Sequence, residues 1–208
     1  MEKLQLGILA SGRGSNFEAI LKNIQQKKLD AAIQVVISNK ASACALEVAR
    51  ENNIPAVHIS KKQFPEQELF DEQLLLVLKN YNVNFVVLAG YLKMLSPIVV
   101  KNFKNRILNI HPALLPSFGG QGMYGQNVHQ AVLDYGCKVS GVTVHLVDEE
   151  YDTGSPVLQR CVPVLEGDAA EDLARRVLKV EHQIFTEALQ LFARGRIEID
   201  GRRVKIRP

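Results

Sequence analysis

Short segments rich in β-branched residues alternate with longer segments of helical periodicity through the first half of the chain. This alternation predicts strands joined by right-handed helical crossovers, and therefore a mostly parallel sheet covered on both faces. The predicted strands are Leu4–Ala10, Ile33–Ser38, Ala56–Ile59, Phe85–Ala89 and Ile107–Ile110. The helices predicted between them are Asn16–Gln26, Ser42–Asn52, Glu66–Tyr81 and Pro97–Asn102.

The pattern changes in the second half, which opens with a glycine-rich loop and a helix near Val128–Tyr135. Two longer strands, Lys138–Val147 and Val157–Val164, lie close in sequence and are predicted to pair antiparallel. A long helix over Ala170–Arg194 precedes a predicted terminal hairpin over Arg196–Ile206.

Together these patterns predict an α/β fold with an open, twisted, Rossmann-like sheet and helices on both faces. We expect the sheet to be parallel in the N-terminal half, residues 1–111, and mixed or antiparallel in the C-terminal half, residues 112–208. The chain contains no internal repeat or linker, and 208 residues can bury roughly 70% of their unfolded surface. We therefore predict a single domain over residues 1–208.

The composition narrows the class of protein. Hydrophobic residues make up 47% of the chain and charged residues 23%, which excludes disordered, collagen-like and coiled-coil proteins. The net charge of +3 is too small for a general nucleic-acid-binding protein. No apolar run approaches the ~20 residues of a membrane span, and the first residues do not form a signal peptide. Three widely spaced cysteines indicate neither a disulfide framework nor a zinc site. We expect a reduced, cytoplasmic protein.

A loop with two glycines, Ser11–Asn16, lies between the first predicted strand and helix, at the carboxyl end of the sheet where ligands bind. Free N–H groups at a helix N-terminus attract an anion. The dinucleotide pattern needs a glycine where Phe17 stands, and the ATP-binding P-loop needs Lys-Ser/Thr in place of Arg13-Gly14. The loop therefore predicts a site for a single phosphate monoester. The alternative is a plain helix start, with Ser15 and Glu18 as a capping box.

A predicted strand changes from apolar to polar at its carboxyl end, where Asn109 and His111 fall on the same side. Pro112 and Pro116 prevent the strand from continuing. An amide and an imidazole that project together suit oxyanion binding and acid–base catalysis. The alternative, a strand-end histidine bonded to a carbonyl group, stays open. The other histidines outside the long helix are interpreted as structural: His58, His129 and His145.

The connection Asp148–Gly154 carries four carboxylates. Most acidic loop residues are solvated, but Asp152 precedes a flexible Thr-Gly pair and is best placed to reach an imidazole or a cation. A carboxylate near His111 would favour the imidazolium and orient the ring. The sequence leaves open whether the two side chains meet.

Glu181 falls near the middle of the apolar face of the long helix. A buried carboxylate needs a partner or a ligand. The sequence leaves two interpretations open, an internal ion pair and a hydrogen-bond acceptor for a substrate amine or hydroxyl.

Several segments together resemble the folate-dependent formyltransferase family and, within it, the phosphoribosylglycinamide formyltransferases. The likeness covers nearly the whole chain and rests on Ser11–Asn16, Leu88–Pro97, Asn109–Pro116, the Asp152-x-Gly154 loop and Glu181-His182. The Asn-x-His-Pro segment with a distant Asp is typical of the wider family. The Gly-Ser-Asn loop and the helical glutamate are typical of the glycinamide ribonucleotide members.

The resemblance implies an enzyme of purine biosynthesis with the formyltransferase fold. It would transfer a formyl group from the co-substrate 10-formyltetrahydrofolate to the amine of 5-phosphoribosyl-glycinamide, without a metal. It implies catalysis by Asn109, protonated His111 and Asp152, with Asp152 raising the pKa of His111. The phosphoribosyl-glycinamide would be bound by Gly14, Ser15, Asn16 and Glu181. The folate would be bound by Leu92, Lys93, Met94, Leu95, Asn109, Asp148, Glu149, Glu150, Tyr151 and Asp152.

The expected partners are small molecules, with no nucleic acid or membrane, and the expected state is a monomer or weak homodimer. The alternatives are a formyltetrahydrofolate deformylase, another folate-dependent formyltransferase such as one for initiator tRNA, and a non-catalytic phosphosugar-binding module. Two features depart from the family. Gln67 stands where an arginine often contacts the folate tail, and the loop Gly119–Gln126 is long and rich in glycine.

Overall fold

The structure is a computed structural model that describes residues 3–208. Its strands are β1 (Leu4–Leu9), β2 (Ala31–Ser38), β3 (Ala56–His58), β4 (Phe85–Leu88), β5 (Ile107–His111), β6 (Val139–Leu146), β7 (Pro156–Pro163), β8 (Ile197–Asp200) and β9 (Arg203–Ile206). Its helices are α1 (Ser15–Gln25), α2 (Cys44–Glu51), α3 (Gln67–Asn80), α4 (Pro97–Asn102), α5 (Gln126–Asp134) and α6 (Ala170–Ala193).

The predicted α/β fold class is confirmed. Seven strands form one sheet in the order β3-β2-β1-β4-β5-β6-β7, with helices around it. Strand β1 pairs parallel with β2 and β4, β2 pairs parallel with β3, and β6 pairs antiparallel with β7. The predicted terminal hairpin is also present, as the antiparallel pair β8–β9.

The chain packs into two compact units, unit 1 up to Leu108 and unit 2 over Asn109–Pro208. The assignment of residues 1–208 to one domain, divided after residue 111, stays a prediction.

Across the described residues, no helix combines the length and the apolar character that a membrane crossing requires.

Unit 1 is built around β1, whose Leu6, Ile8 and Leu9 are fully buried. Residues of both alternating sides are apolar because a parallel strand covered by helices has no solvated face. A side chain on Gly7 would place its Cβ 2.7 Å from Leu78, so α3 packs directly against the backbone of β1. This packing holds the ends of β1, β2 and β4 side by side.

The capping box expected at Ser15 and Glu18 is wrong. Helix α1 begins at Ser15, and its N-cap is Gly14 with a left-handed φ of 84° and no side-chain capping bond. Only glycine fits this position, because a Cβ there would also lie 2.8 Å from the Cβ of Ala45. The close approach of α2 to this loop therefore determines how α1 begins.

Unit 2 combines the β6–β7 ladder, helix α6 and the terminal hairpin. The buried face of α6 packs on β6 and β7, and β9 packs on β7. Asp168, just before α6, forms a two-point ion pair with Arg176, whose hydrogen bonds lower the pKa of Asp168 to about 2. These contacts hold together β6, β7 and α6, and the loop between β6 and β7 carries the candidate catalytic residue Asp152.

Candidate active site

Strand β5 delivers two polar side chains at its carboxyl end. Asn109 is half-buried, and His111, the last residue of the strand, is only 3% exposed. Both lie in unit 2, and their two-residue spacing places them on one side of the strand. The chain then leaves the strand at Pro112, which ends the ladder.

The loop between β6 and β7 brings Asp152 to this pair. Its Oδ2 atom lies 3.5 Å from Nδ1 of His111 and accepts the backbone N–H of Gly120 at 3.0 Å. Its Oδ1 atom accepts the amide of Asn109 at 3.4 Å. Asp152 has a left-handed φ of 58°, which is uncommon outside glycine and aims the carboxylate inward. The structure thus brings Asn109, His111 and Asp152 together.

His145 is a fourth member of this cluster that the sequence interpretation missed. Its Nδ1 faces the Leu146 carbonyl at 2.8 Å, so Nδ1 carries the proton and Nε2 is free to accept. The Asn109 amide donates to Nε2 at 3.0 Å, and Asp152 Oδ1 lies 3.6 Å from the same atom. His145 therefore orients the amide of Asn109.

The His111 ring is held on both of its nitrogens. Nε2 contacts the carbonyl oxygen of Phe118 at 2.8 Å, and because a carbonyl can only accept, Nε2 carries a proton. Phe118 has a left-handed φ of 54°, and its ring packs edge-on against Tyr135. The loop after β5 thereby fixes the Nε2 side of the ring, and the Asp152 carboxylate lies near Nδ1 on the other side.

The charge state of the cluster differs from the one expected. Burial lowers the pKa of His111 below its ordinary value of 6.5, although the Asp152 carboxylate and the Phe118 carbonyl act in the opposite direction. Asp152 thus raises the pKa of His111 as expected, but desolvation outweighs the carboxylate, so the net shift is downward. Burial alone would raise the pKa of Asp152, but the neighbouring His145 and His111 rings and the N–H of Gly120 lower it below its ordinary value. At neutral pH the site thus holds a carboxylate beside a neutral imidazole.

The predicted phosphate loop lies in unit 1 at the start of α1. Gly14 and Asn16 are buried, and Ser15 is half-buried. The Glu18 N–H is bonded to Gly14 O at 2.9 Å and opens the helical ladder, and the first N–H groups of a helix lie before such a ladder begins. The loop can therefore offer backbone donors and the helix dipole to an anion.

The predicted folate segment, Leu92–Leu95, connects β4 to α4 in unit 1. Leu92, Lys93 and Met94 are exposed, whereas Leu95 is buried. The exposed members present apolar surface, with Leu92 at 42% and Met94 at 50% exposure. Gln67 donates from Nε2 to the neighbouring Asp71 at 2.7 Å.

The acidic loop before β7 is held by a hydrogen bond between two of its own residues and by one from the terminal hairpin. The Thr153 hydroxyl donates to Asp148 at 2.7 Å, and Arg202 of the terminal hairpin donates to the Thr153 carbonyl oxygen at 2.8 Å. A Cβ on Gly154 would lie 1.7 Å from the Leu146 carbonyl oxygen, so only glycine lets the loop close on β6. The remaining predicted folate residues of the loop are exposed: Glu149, Glu150 and Tyr151.

Glu181 lies on the buried face of α6, as its periodicity predicts, and is 9% exposed.

Within residues 3–208, no group of three or more His, Cys, Asp or Glu side chains is arranged to hold a metal ion.

Comparisons with known proteins agree with this arrangement. Residues 4–189 match the formyl transferase family. The chain is 41% identical over 197 residues to the chloroplastic phosphoribosylglycinamide formyltransferase of Vigna unguiculata, covering 95% of this chain and 63% of that protein. It is 36% identical to the phosphoribosylglycinamide formyltransferase of Escherichia coli, covering 97% of this chain and 96% of that protein.

A solved structure shares the fold closely. The crystal structure of glycinamide ribonucleotide transformylase 1 from Symbiobacterium toebii has a TM-score of 0.94 and 43% identity, covering 99% of this chain and 95% of that chain. The chain therefore belongs to the formyl transferase family. It spans less than two thirds of the length of the Vigna unguiculata relative.

Proposed function

We propose that the protein transfers a formyl group from 10-formyltetrahydrofolate to the amine of 5-phosphoribosyl-glycinamide, giving the N-formyl product and tetrahydrofolate in purine biosynthesis. The observation that most directly supports this proposal is that Asn109, His111 and Asp152 lie together at the end of β5. The likeness to relatives named phosphoribosylglycinamide formyltransferase supports the choice of substrates.

The substrates are assigned to the segments described above. Backbone donors of Gly14, Ser15 and Asn16 bind the phosphate, and Glu181 accepts hydrogen bonds from the ribose or glycinamide end. The folate is bound by the segment Leu92–Leu95, with Leu95 as its buried anchor, and by the acidic loop Asp148–Asp152.

Catalysis begins when the substrate amine attacks the formyl carbon and a tetrahedral oxyanion forms. Asn109 donates to that oxygen with the amide proton that makes the longer contact, 3.4 Å, to Asp152. His145 keeps the other amide proton, so the amide holds its orientation. Because the amide is held by His145, little reorganisation is needed when this proton changes partner from Asp152 to the oxyanion.

The neutral His111 then acts as a proton carrier. It takes a proton from the attacking nitrogen, and the imidazolium forms beside the Asp152 carboxylate, which stabilises it. His111 passes a proton to the departing folate nitrogen as the carbon–nitrogen bond breaks. Because Asp152 faces Nδ1, we assign the exchange to Nε2. For this exchange the neutral ring holds its proton on Nδ1, towards Asp152, once the substrate has replaced Phe118 O as the partner of Nε2.

The direct test supplies both substrates to the purified protein and measures formylated ribonucleotide and tetrahydrofolate. Asn109→Ala is expected to lower turnover by about 10²–10³ and His111→Ala by about 10²–10⁴, with unchanged folding. Asn102→Ala, which alters an exposed amide at the end of α4, is the matched control. Turnover at the wild-type rate in either active-site variant would contradict the mechanism.

The phosphate site has its own prediction. Ser15→Asp places a negative charge where the phosphate is bound and should raise the KM for the ribonucleotide more than the KM for the folate. Asn53→Asp adds the same charge in an exposed turn whose left-handed backbone Asp tolerates. An unchanged ribonucleotide KM in Ser15→Asp would remove the phosphate from this loop.

The rival activity is hydrolysis of 10-formyltetrahydrofolate, with water replacing the amine at the same cluster. Folate turnover measured with and without ribonucleotide separates the two reactions. A rate that does not depend on the ribonucleotide would identify a deformylase, and ribonucleotide binding without any product would identify a non-catalytic module.

We also propose that the protein is cytoplasmic and that it is a monomer or a weak homodimer. The three cysteines are unpaired, as expected in a reducing compartment. Cell fractionation tests the location, and sedimentation over a range of concentrations tests the oligomeric state.

A further inference from the structure

Ser11 is a buried polar residue that the proposed reaction does not use. It lies two residues after the end of β1 and is 1% exposed. A hydroxyl in such a position is stable only when its hydrogen bonds are made. The partners of Ser11 therefore reveal what it holds in place.

Ser11 joins the ends of three neighbouring strands of unit 1. Its N–H donates to the Gly90 carbonyl oxygen at 3.0 Å, after β4. Its Oγ accepts the N–H of Leu92 at 2.9 Å and donates to Oδ1 of Asn39, after β2, at 2.5 Å. The Ser11 hydroxyl is thus donor and acceptor at once, and its two hydrogen bonds determine the orientation of the hydroxyl group.

Two of these connections belong to segments with separate proposed ligands. Ser11 is the first residue of the phosphate loop Ser11–Asn16, and Leu92 is the first residue of the folate segment Leu92–Leu95. We propose that Ser11 is a positioning residue that couples ribonucleotide binding to folate binding. The inference rests on the proposed function, because it takes its two ligands from there.

The physical basis is shared ordering of the two backbones. A ligand that immobilises the phosphate loop also immobilises Ser11, and through its two bonds the backbone of residues 90–92. The second ligand then meets a segment that is already ordered and binds more tightly. The effect must be reciprocal, since each ligand changes the affinity of the other by the same factor.

Replacing Ser11 with alanine interrupts this path at one atom. The Leu92 N–H loses its acceptor and Asn39 Oδ1 loses its donor, while the bond from the Ser11 N–H to Gly90 remains. Of the two bonds between Ser11 and the connection after β4, only the one to Gly90 then remains, and it lies outside the folate segment. Ser60→Ala is the matched control, because Ser60 is another buried serine of unit 1 whose hydroxyl donates to a side chain, that of Gln63.

The experiment measures binding of 5-phosphoribosyl-glycinamide by calorimetry, with and without saturating tetrahydrofolate under reducing conditions. Tetrahydrofolate carries no formyl group, so both ligands bind without reacting. For the wild type we expect tetrahydrofolate to lower the Kd of the ribonucleotide about fivefold or more. The factor should fall below about twofold in Ser11→Ala and stay at the wild-type value in Ser60→Ala.

Each outcome has one meaning. Wild-type coupling in a folded Ser11→Ala protein, or no coupling in the wild type, overturns the role of Ser11 while leaving the proposed function in place. A wild-type protein that binds neither ligand overturns the proposed function instead. If Ser11→Ala does not fold, Asn39→Ala replaces it, because it frees the hydroxyl to rotate; undiminished coupling there also overturns the inference.

Discussion

His111 is subject to two opposing electrostatic effects. Its burial favours the neutral ring, whereas the carboxylate of Asp152, 3.5 Å from Nδ1, favours the charged ring. Burial prevails in the free protein, and the carboxylate becomes important only when a proton arrives during the reaction. A base that starts neutral and is stabilised once charged suits the proton exchange that we propose for His111.

This balance predicts the titration of the residue. The C2 proton of His111, followed by NMR, should titrate below pH 6.5. In Asp152→Asn the pKa should fall further, because the carboxylate that raises it is gone. The spectrum of His111→Asn identifies the resonance. A pKa above 6.5 in the wild type, or a rise in Asp152→Asn, would contradict this account.

At the scale of elements, the terminal hairpin β8–β9 supports the active-site loop. Strand β9 packs on β7, and Arg202 in the hairpin turn donates to the carbonyl oxygen of Thr153, the residue after Asp152. The hairpin is thereby connected to the backbone that carries the Asp152 carboxylate. An element remote in sequence from β5 thus helps to position Asp152.

Arg202→Ala should therefore impair catalysis without unfolding the protein. A lost exposed hydrogen bond is expected to lower kcat/KM roughly 2- to 10-fold, and Arg202→Lys should restore part of the loss. Arg203→Ala removes the same charge from the adjacent exposed position and should leave kcat/KM unchanged. Equal kcat/KM in the two alanine variants would show that the hairpin does not position the loop.

The strands and helices were predictable from the sequence because each buries an apolar face with a clear period. Even Glu181 was placed correctly, since helical periodicity determines which side of α6 a residue occupies. The start of α1 was not predictable, because Gly14 is required by its contact with Ala45, which is distant in sequence.

The meeting of Asp152 with His111 was not predictable for a similar reason. It depends on a left-handed residue in a loop and on the N–H of Gly120. His145 did carry a signal, since Thr143 and His145 are polar at two-residue spacing and alternate with the apolar residues Val142, Val144 and Leu146 of β6. Their partners, however, lie after β5 and within it, and local sequence does not specify them.

At the scale of the whole molecule, the buried histidines link stability to pH. Burial lowers the pKa of His111 and also that of His129, which is 5% exposed and near His111. Both rings are therefore easier to protonate in the unfolded chain than in the folded protein. On acidification the unfolded state takes up more protons, and folding stability is lost as the pH falls below about 6.5. The pKa of Asp152 is lowered in the folded protein, so protonation of this carboxylate reduces the free energy of unfolding only at much lower pH.

Urea unfolding between pH 8 and pH 5 tests this linkage. The free energy of unfolding should be flat near pH 8 with respect to these groups and fall below pH 6.5, by at most about 1.4 kcal/mol per pH unit for each histidine. In His129→Gln the fall should be shallower, because one of the two groups is removed. A slope equal to that of the wild type would show that His129 does not contribute.

The left-handed backbone at Asp152 also limits how this position can change over evolution. Glycine, asparagine and aspartate adopt that conformation at little cost, whereas branched side chains do not. A descendant that loses the carboxylate while keeping the loop has asparagine or glycine as its accessible replacements. Asparagine would preserve the turn while abolishing the charge, so a single substitution could convert a working catalyst into an inactive binder of the same ligands.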